Sequence, residues 1–336
     1  MAVTKKVAAK KTRARKEVAR IDAKIPDTKP VTSKIVGQRK VYSLLQMAAD
    51  HDMPALLIGE TGTGKTSIIQ DIANCRGQEW RRFNLTGDTT VDEFVGKYEL
   101  EAGQTVWRDG ILLQAMKSGQ WLIVDEINVA LPEILFALHS LLDDDKFVVV
   151  AGHNGEVVRP HKDFRFFATM NPVEEYAGTK ELNKAFKSRF NIVMLMTYPP
   201  KEDEIQIVHQ HTGLDKLHIA KMVDVATTIR EAKAKDQVFY TCSTRDLIHW
   251  AKVTNLTDLE TGFTVSVLHK ADSDRKVLVT IYDQIIAKYN GMEEQIGTDK
   301  LTIDWFQENL QRIDESEALI DQRVKDGIKA KLEAMV

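Results

Sequence analysis

The chain is 336 residues long, 43% apolar and 28% charged, with a formal charge of −3. That length allows two or three packed units with true cores, and the composition is that of a soluble globular protein. Cys75 and Cys242 make neither a disulfide framework nor a zinc-binding set. No apolar run approaches the roughly 18 residues of a membrane-spanning helix, so a cytoplasmic protein without membrane insertion is expected.

The chain opens on a basic stretch. Residues 1–24 carry nine Lys and Arg against Glu17 and Asp22, giving +7 and leaving −10 for residues 25–336. Such an Ala/Lys-rich run is expected to be a solvated, flexible arm. Contact with nucleic acid is the less favoured alternative, because the acidic body offers no broad basic groove to continue it. No apolar stretch follows the basic residues, so the run does not read as a secretory signal. Pro26 and Pro30 in "IPDTKPVTS" mark a linker, which bounds the arm at residues 1–30.

Residues 31–198 alternate short apolar runs with helical patterns. "ALLIG" (55–59), "WRRFNL" (80–85), "WLIVDE" (121–126), "FRFFATMN" (164–171) and "NIVMLM" (191–196) each read as strands. Apolar runs without strict alternation suit a parallel sheet covered on both faces. "KTSIIQDIANC" and "LPEILFALHSLLDD" have helical spacing, and Pro132 sits where a first helical turn tolerates it. Strands alternating with helices predict a three-layer α/β domain. After "YPP" (198–200) every segment has helical periodicity, which predicts an all-helical second domain over 199–290. "GMEEQIGTD" breaks the pattern, and 291–336 reads as a charged, helical C-terminal extension.

Two beta-rich segments stand apart. "YELEAGQTVWRDG" (98–110) predicts a hairpin with Ala102-Gly103 near its tip, interrupting a helix. "FVVVAGHNGEVVRP" (147–160) predicts another around Asn154-Gly155, the strongest short turn signal. His153 and His161 lie on loop or hairpin edges without metal-ligand spacing. Trp121 and Phe164 read as core packing.

The chemistry concentrates at the strand ends. Gly59, Glu60, Thr61, Gly62, Thr63, Gly64, Lys65 and Thr66 complete the pattern G-x-x-x-x-G-K-[ST] between an apolar strand and a helix that continues with Ser67. The glycines let backbone N–H groups converge on phosphate oxygens, and the helix adds its positive end. Lys65 reaches the outer phosphates and the Thr66 hydroxyl ligates Mg²⁺. "WLIVDEIN" then ends a strand in Asp125-Glu126, where open α/β sheets bind ligands. Asp125 is expected to hold the Mg²⁺ shell and Glu126 to activate water. Asn171, closing "FATMN", could orient that water. Arg189, in "NKAFKSRF", is by default a surface or salt-bridge residue. The pattern predicts a nucleotide hydrolase that uses Mg²⁺.

From about Val36 to Arg245 the chain resembles the AAA+ ATPases, within them the dynein-related group of MoxR-type chaperones, cobaltochelatase ATPase subunits and midasin modules. "DGILLQAMKSGQWLIVDEIN", "RPHKDFRFFATMNP" and "YAGTKELNKAFKSRF" carry the likeness beyond the phosphate loop. The resemblance implies that Asn171 is the sensor-1 residue, Arg189 an arginine finger with Lys187 as rival, and Arg245 a sensor-2 arginine acting in cis or in trans. It also implies that 147–160 is a pre-sensor hairpin and that the 98–110 insert points toward the pore or partner face of a homo-oligomeric, hexameric ring. The function it implies is remodelling of a partner protein, in this group often one bearing a von Willebrand A domain. A motor subunit of a metal chelatase and a nucleic-acid-directed motor are the alternatives, and no residue of the chain separates the three.

Overall fold

The computed structural model describes residues 35–172 and 181–298. The basic arm with its linker, and the extension beyond residue 298, lie outside the described residues. The chain divides into two compact units between Thr197 and Tyr198.

The first unit is built on a five-stranded parallel sheet. Strands β1 (Ala55–Gly59), β2 (Trp80–Asn84), β5 (Trp121–Asp125), β8 (Arg165–Met170) and β9 (Ile192–Met196) stand in the order β2-β5-β8-β1-β9. All four neighbouring pairs run parallel. The continuous apolar runs have a direct cause. Alternate residues of one strand enter different cores on opposite faces of the sheet. Leu56, Leu122, Val124 and Ala168 pack with the helices Ile111–Ser118 and Pro132–Leu142. Ala55, Leu57, Ile123 and Phe167 pack with the helices Arg39–Asp50 and Lys65–Cys75. Trp121 and Phe164 are buried core residues.

Strand ends depart slightly from the sequence reading. Glu126 lies outside β5 because its backbone turns into the left-handed region, φ 58°. Asn171 likewise falls just beyond β8. These departures place functional residues in loops at the carboxyl edge. The central strands β5, β8 and β1 are adjacent, so their ends deliver Asp125-Glu126, Asn171 and the Gly59–Lys65 loop to one place.

Two antiparallel hairpins sit outside the sheet. β3 (Gly96–Glu101) pairs with β4 (Gln104–Asp109), and Ala102 and Gly103 turn with φ 47° and 83°. The hairpin interrupts a helical run, between the helices Val91–Phe94 and Ile111–Ser118. β6 (Val148–Val150) pairs with β7 (Glu156–Val158). Asn154 and Gly155 have positive φ, but the ladder stops at Val150 and Glu156, so the loop holds five residues instead of a tight two-residue turn. The His153 ring stacks on Trp107 with centroids 4.8 Å apart and bonds Tyr98 Oη at 2.8 Å, joining the hairpins.

The second unit is helical: Lys201–Thr212, Lys216–Lys233, Thr244–Thr254, Leu259–Ser266 and Arg275–Thr298. Asp215, Ser243 and Asp258 cap three of these helices, as short polar side chains do for otherwise unpaired N–H groups. Trp250, Phe263 and Tyr282 form the aromatic centre of its core. Among the described residues, Arg230 forks onto the buried Glu204 there with two 2.8 Å bonds, and Thr244 Oγ1 donates to the same carboxylate at 2.5 Å.

Candidate nucleotide site

The loop after β1 takes its shape from its glycines. Gly62 and Gly64 hold φ of 79° and 88°, a conformation side-chain-bearing residues avoid. Gly59 meets a different demand, since a Cβ there would run into the Met196 carbonyl of β9. Thr63, buried, folds back on the loop and donates to the Glu60 carbonyl at 2.8 Å. Ser67 lies exposed on the first turn of the following helix.

Lys65 links the loop to the end of β8. Its buried ammonium donates to the carbonyls of Gly59 at 2.6 Å and Glu60 at 2.9 Å, and to Asn171 Oδ1 at 2.9 Å. Asn171 then donates from Nδ2 to Glu126 Oε1 at 2.7 Å. The partners fix the amide's orientation: an ammonium can only donate and a carboxylate can only accept. A continuous chain, Lys65–Asn171–Glu126, therefore crosses from the phosphate loop to the candidate base.

Glu126 is half-buried, and burial raises its pKa above the ordinary carboxylate value. Lys65 and the Asn171 hydrogen bond pull it back, while the Asp125 carboxylate adds to the rise. A carboxylate with raised proton affinity beside an anion-binding loop suits general-base chemistry.

Asp125, 3% exposed, is held on three sides. Its Oδ1 accepts from Thr66 Oγ1 at 2.8 Å and Thr169 Oγ1 at 2.7 Å, and its Oδ2 pairs with Arg82. Mg²⁺ takes hard oxygen donors and is held by one or two protein groups, with phosphates and waters completing its shell. Thr66 Oγ1 beside Asp125 Oδ1 is such a donor pair, so these residues fit the ion.

Thr169 and Arg82 are absent from the sequence reading. Thr169 precedes Asn171 by two positions and so projects on the same side of the strand. That periodicity is a signal sequence analysis could have used. Arg82 is different. It reaches Asp125 because β2 and β5 lie side by side with Asn84 opposite Asp125, a register visible only in the fold.

The predicted fingers Arg189 and Lys187, of the same unit, make no described contact with this cluster. Arg189 lies just after the short helix Lys184–Lys187, which Asn183 caps. Its Nη1 donates to the Ala185 carbonyl at 2.6 Å. Its Nε lies 2.9 Å from Asp143 Oδ1 but is poorly aligned for a hydrogen bond, so that contact is a charge pair. None of these contacts reaches the phosphate loop. Lys187, the rival finger, is half-buried on the same short helix. Arg245 is exposed on the first turn of Thr244–Thr254, in the second unit.

A family model described as AAA domain (dynein-related subfamily) matches residues 54–190, and one described as CbbQ/NirQ/NorQ C-terminal matches residues 204–288. The chain is similar to midasin of Dictyostelium discoideum, 35% identical over 206 residues, which are 59% of this chain and 3% of midasin. It is similar to protein NorQ of Paracoccus denitrificans, 30% identical over 212 residues, covering 63% of this chain and 77% of NorQ. The aerobic cobaltochelatase subunit CobS of a Sinorhizobium species is 28% identical over 279 residues, 78% of this chain and 83% of CobS. The chain thus spans a small fraction of midasin and most of NorQ and CobS.

Proposed function

We propose that this chain, which belongs to the dynein-related AAA ATPase family and carries a CbbQ/NirQ/NorQ C-terminal domain, hydrolyses ATP in a ring of its own copies to activate or remodel a partner protein. The observation that carries the hydrolytic reading is the Lys65–Asn171–Glu126 chain. It joins an anion-binding loop to a base of raised proton affinity through an amide that can orient a water between them.

The residues divide the work. Backbone N–H groups of residues 60–66 and the positive end of the Lys65–Cys75 helix cradle the phosphates. The Lys65 ammonium exchanges its loop carbonyls for phosphate oxygens. Thr66 and Asp125 would hold Mg²⁺, which when bound neutralises charge between the outer phosphates. Glu126 takes the proton of the attacking water, and Asn171 keeps carboxylate and water aligned. Arg189 acts from the neighbouring copy on that neighbour's outer phosphate, and Arg245 reads nucleotide state from the helical unit. A hexamer and a partner bearing a von Willebrand A domain extend this reading.

The similarity to CobS, running through both units, favours a second reading as the motor subunit of a metal chelatase. In both readings the purified chain hydrolyses ATP in the presence of Mg²⁺, and Lys65→Ala loses nucleotide binding. Tight ATP binding by Lys65→Ala would overturn the assignment of the loop. Co-purification with a von Willebrand A protein or with a large chelatase subunit separates the two readings.

A further inference from the structure

Asp125 is the most buried carboxylate of the candidate site, and its one cationic partner among the described ion pairs is Arg82. The two carboxylate oxygens are divided. Oδ1 accepts the hydroxyls of Thr66 and Thr169, on the side of the phosphate loop, while Oδ2 faces the Arg82 guanidinium. Arg82 itself is half exposed, with side-chain exposure of 50% against 5% for Asp125. It therefore stands at the rim of the site as a solvent-facing cation placed on a buried anion.

A buried carboxylate without a counter-charge is costly, so removing its cationic partner is destabilising. Arg82 supplies that counter-charge when no divalent ion is bound. A Mg²⁺ held by Thr66 and Asp125 would be a like charge to the same guanidinium. We propose that Arg82 is a positioning residue that competes electrostatically with the divalent cation for Asp125, and so sets how much Mg²⁺ the nucleotide site requires. The inference rests on the reading of Thr66 and Asp125 as the cation's holders.

Neutralising Arg82 predicts tighter cation binding, not weaker. With one unit charge removed near a doubly charged ion at a half-exposed position, the Mg²⁺ midpoint should fall by roughly three- to tenfold. The assay is binding of a fluorescent, non-hydrolysable ATP analogue across a Mg²⁺ series, starting from excess EDTA, with the full chain. Thermal unfolding without nucleotide, with and without Mg²⁺, is followed in parallel. Arg82→Gln should shift the midpoint down, melt earlier than the parent without Mg²⁺, and gain more from added Mg²⁺. Arg82→Lys keeps the charge and should stay close to the parent.

The controls separate the possible failures. If the parent's analogue binding and melting are both indifferent to Mg²⁺, the reading of Thr66 and Asp125 falls and this inference falls with it. If the parent responds and Arg82→Gln has an unchanged or raised midpoint, only the competition is overturned, and Arg82 merely orients the carboxylate. A Lys variant that shifts as far as the Gln variant would also overturn it, because charge would then not be the cause.

Discussion

Replacing Glu126 with Gln should separate binding from turnover. The substitution removes the proton acceptor but keeps the shape, and Gln Oε1 can still accept from Asn171 Nδ2, which lies 2.7 Å from the carboxylate. Lys65, Thr66 and Asp125 keep their own partners, so ATP affinity should hardly change. The loss is the general-base contribution, about 10²–10⁴-fold in turnover, which is about 3–5 kcal/mol on the barrier. Stability should move the other way. Burial raises the Glu126 pKa above its unfolded value near 4.5, so the folded state holds its proton more tightly than the unfolded one. Stability therefore declines as pH rises through that interval, and the buried anion weighs on the fold above it. Glu126→Gln, permanently neutral, should melt above the parent at pH 8, with the gap closing toward pH 4. Steady-state hydrolysis and thermal melts on the same samples read both effects. Unchanged turnover would refute the base assignment, and a Gln variant that melts lower at pH 8 would refute the electrostatic account.

Other expectations concern the second unit and the arm. Arg230→Ala leaves Glu204 buried and unpaired at 1% exposure and should cost about 3–5 kcal/mol. Lys270→Ala breaks the more exposed pair with Asp246 and should cost at most about 1 kcal/mol. Equal shifts in thermal denaturation would contradict that ranking. Deleting residues 1–24 should leave DNA and RNA binding equally weak at low salt. A steep salt dependence present only in the full chain would assign the arm to nucleic acid instead.

Local and periodic features were legible in the amino-acid sequence. The five strands stood out because a sheet covered on both faces needs apolar side chains in both directions, as Leu56 and Leu57 show by entering different cores. The phosphate loop is contiguous, and Gly62 and Gly64, which take positive φ, stand within the pattern itself. Convergence across strands was not legible. Arg82 meets Asp125 through parallel register, which no spacing in the chain encodes. The contact between Arg189 and Asp143 joins a short helix to the end of a distant one, and the Trp107–His153 stack joins two hairpins. Glu126 reads as the last residue of a strand, yet it takes a left-handed backbone as the residue before the Ile127–Val129 turn.

The central claim is that one copy completes another's active site, and mixing two inactive variants tests it most directly. On the proposed ring reading, Arg189→Ala should bind ATP but offer no finger, whereas Lys65→Ala should bind none yet still present Arg189 to its neighbour. A finger supplied in trans is worth about 10³–10⁵ in turnover, so each variant alone should be nearly silent. Mixed under conditions in which a labelled variant shows subunit exchange, they should recover hydrolysis at interfaces that pair an intact loop with an intact Arg189. An Arg189→Ala protein that is monomeric and turns over ATP at the parental rate would contradict the account.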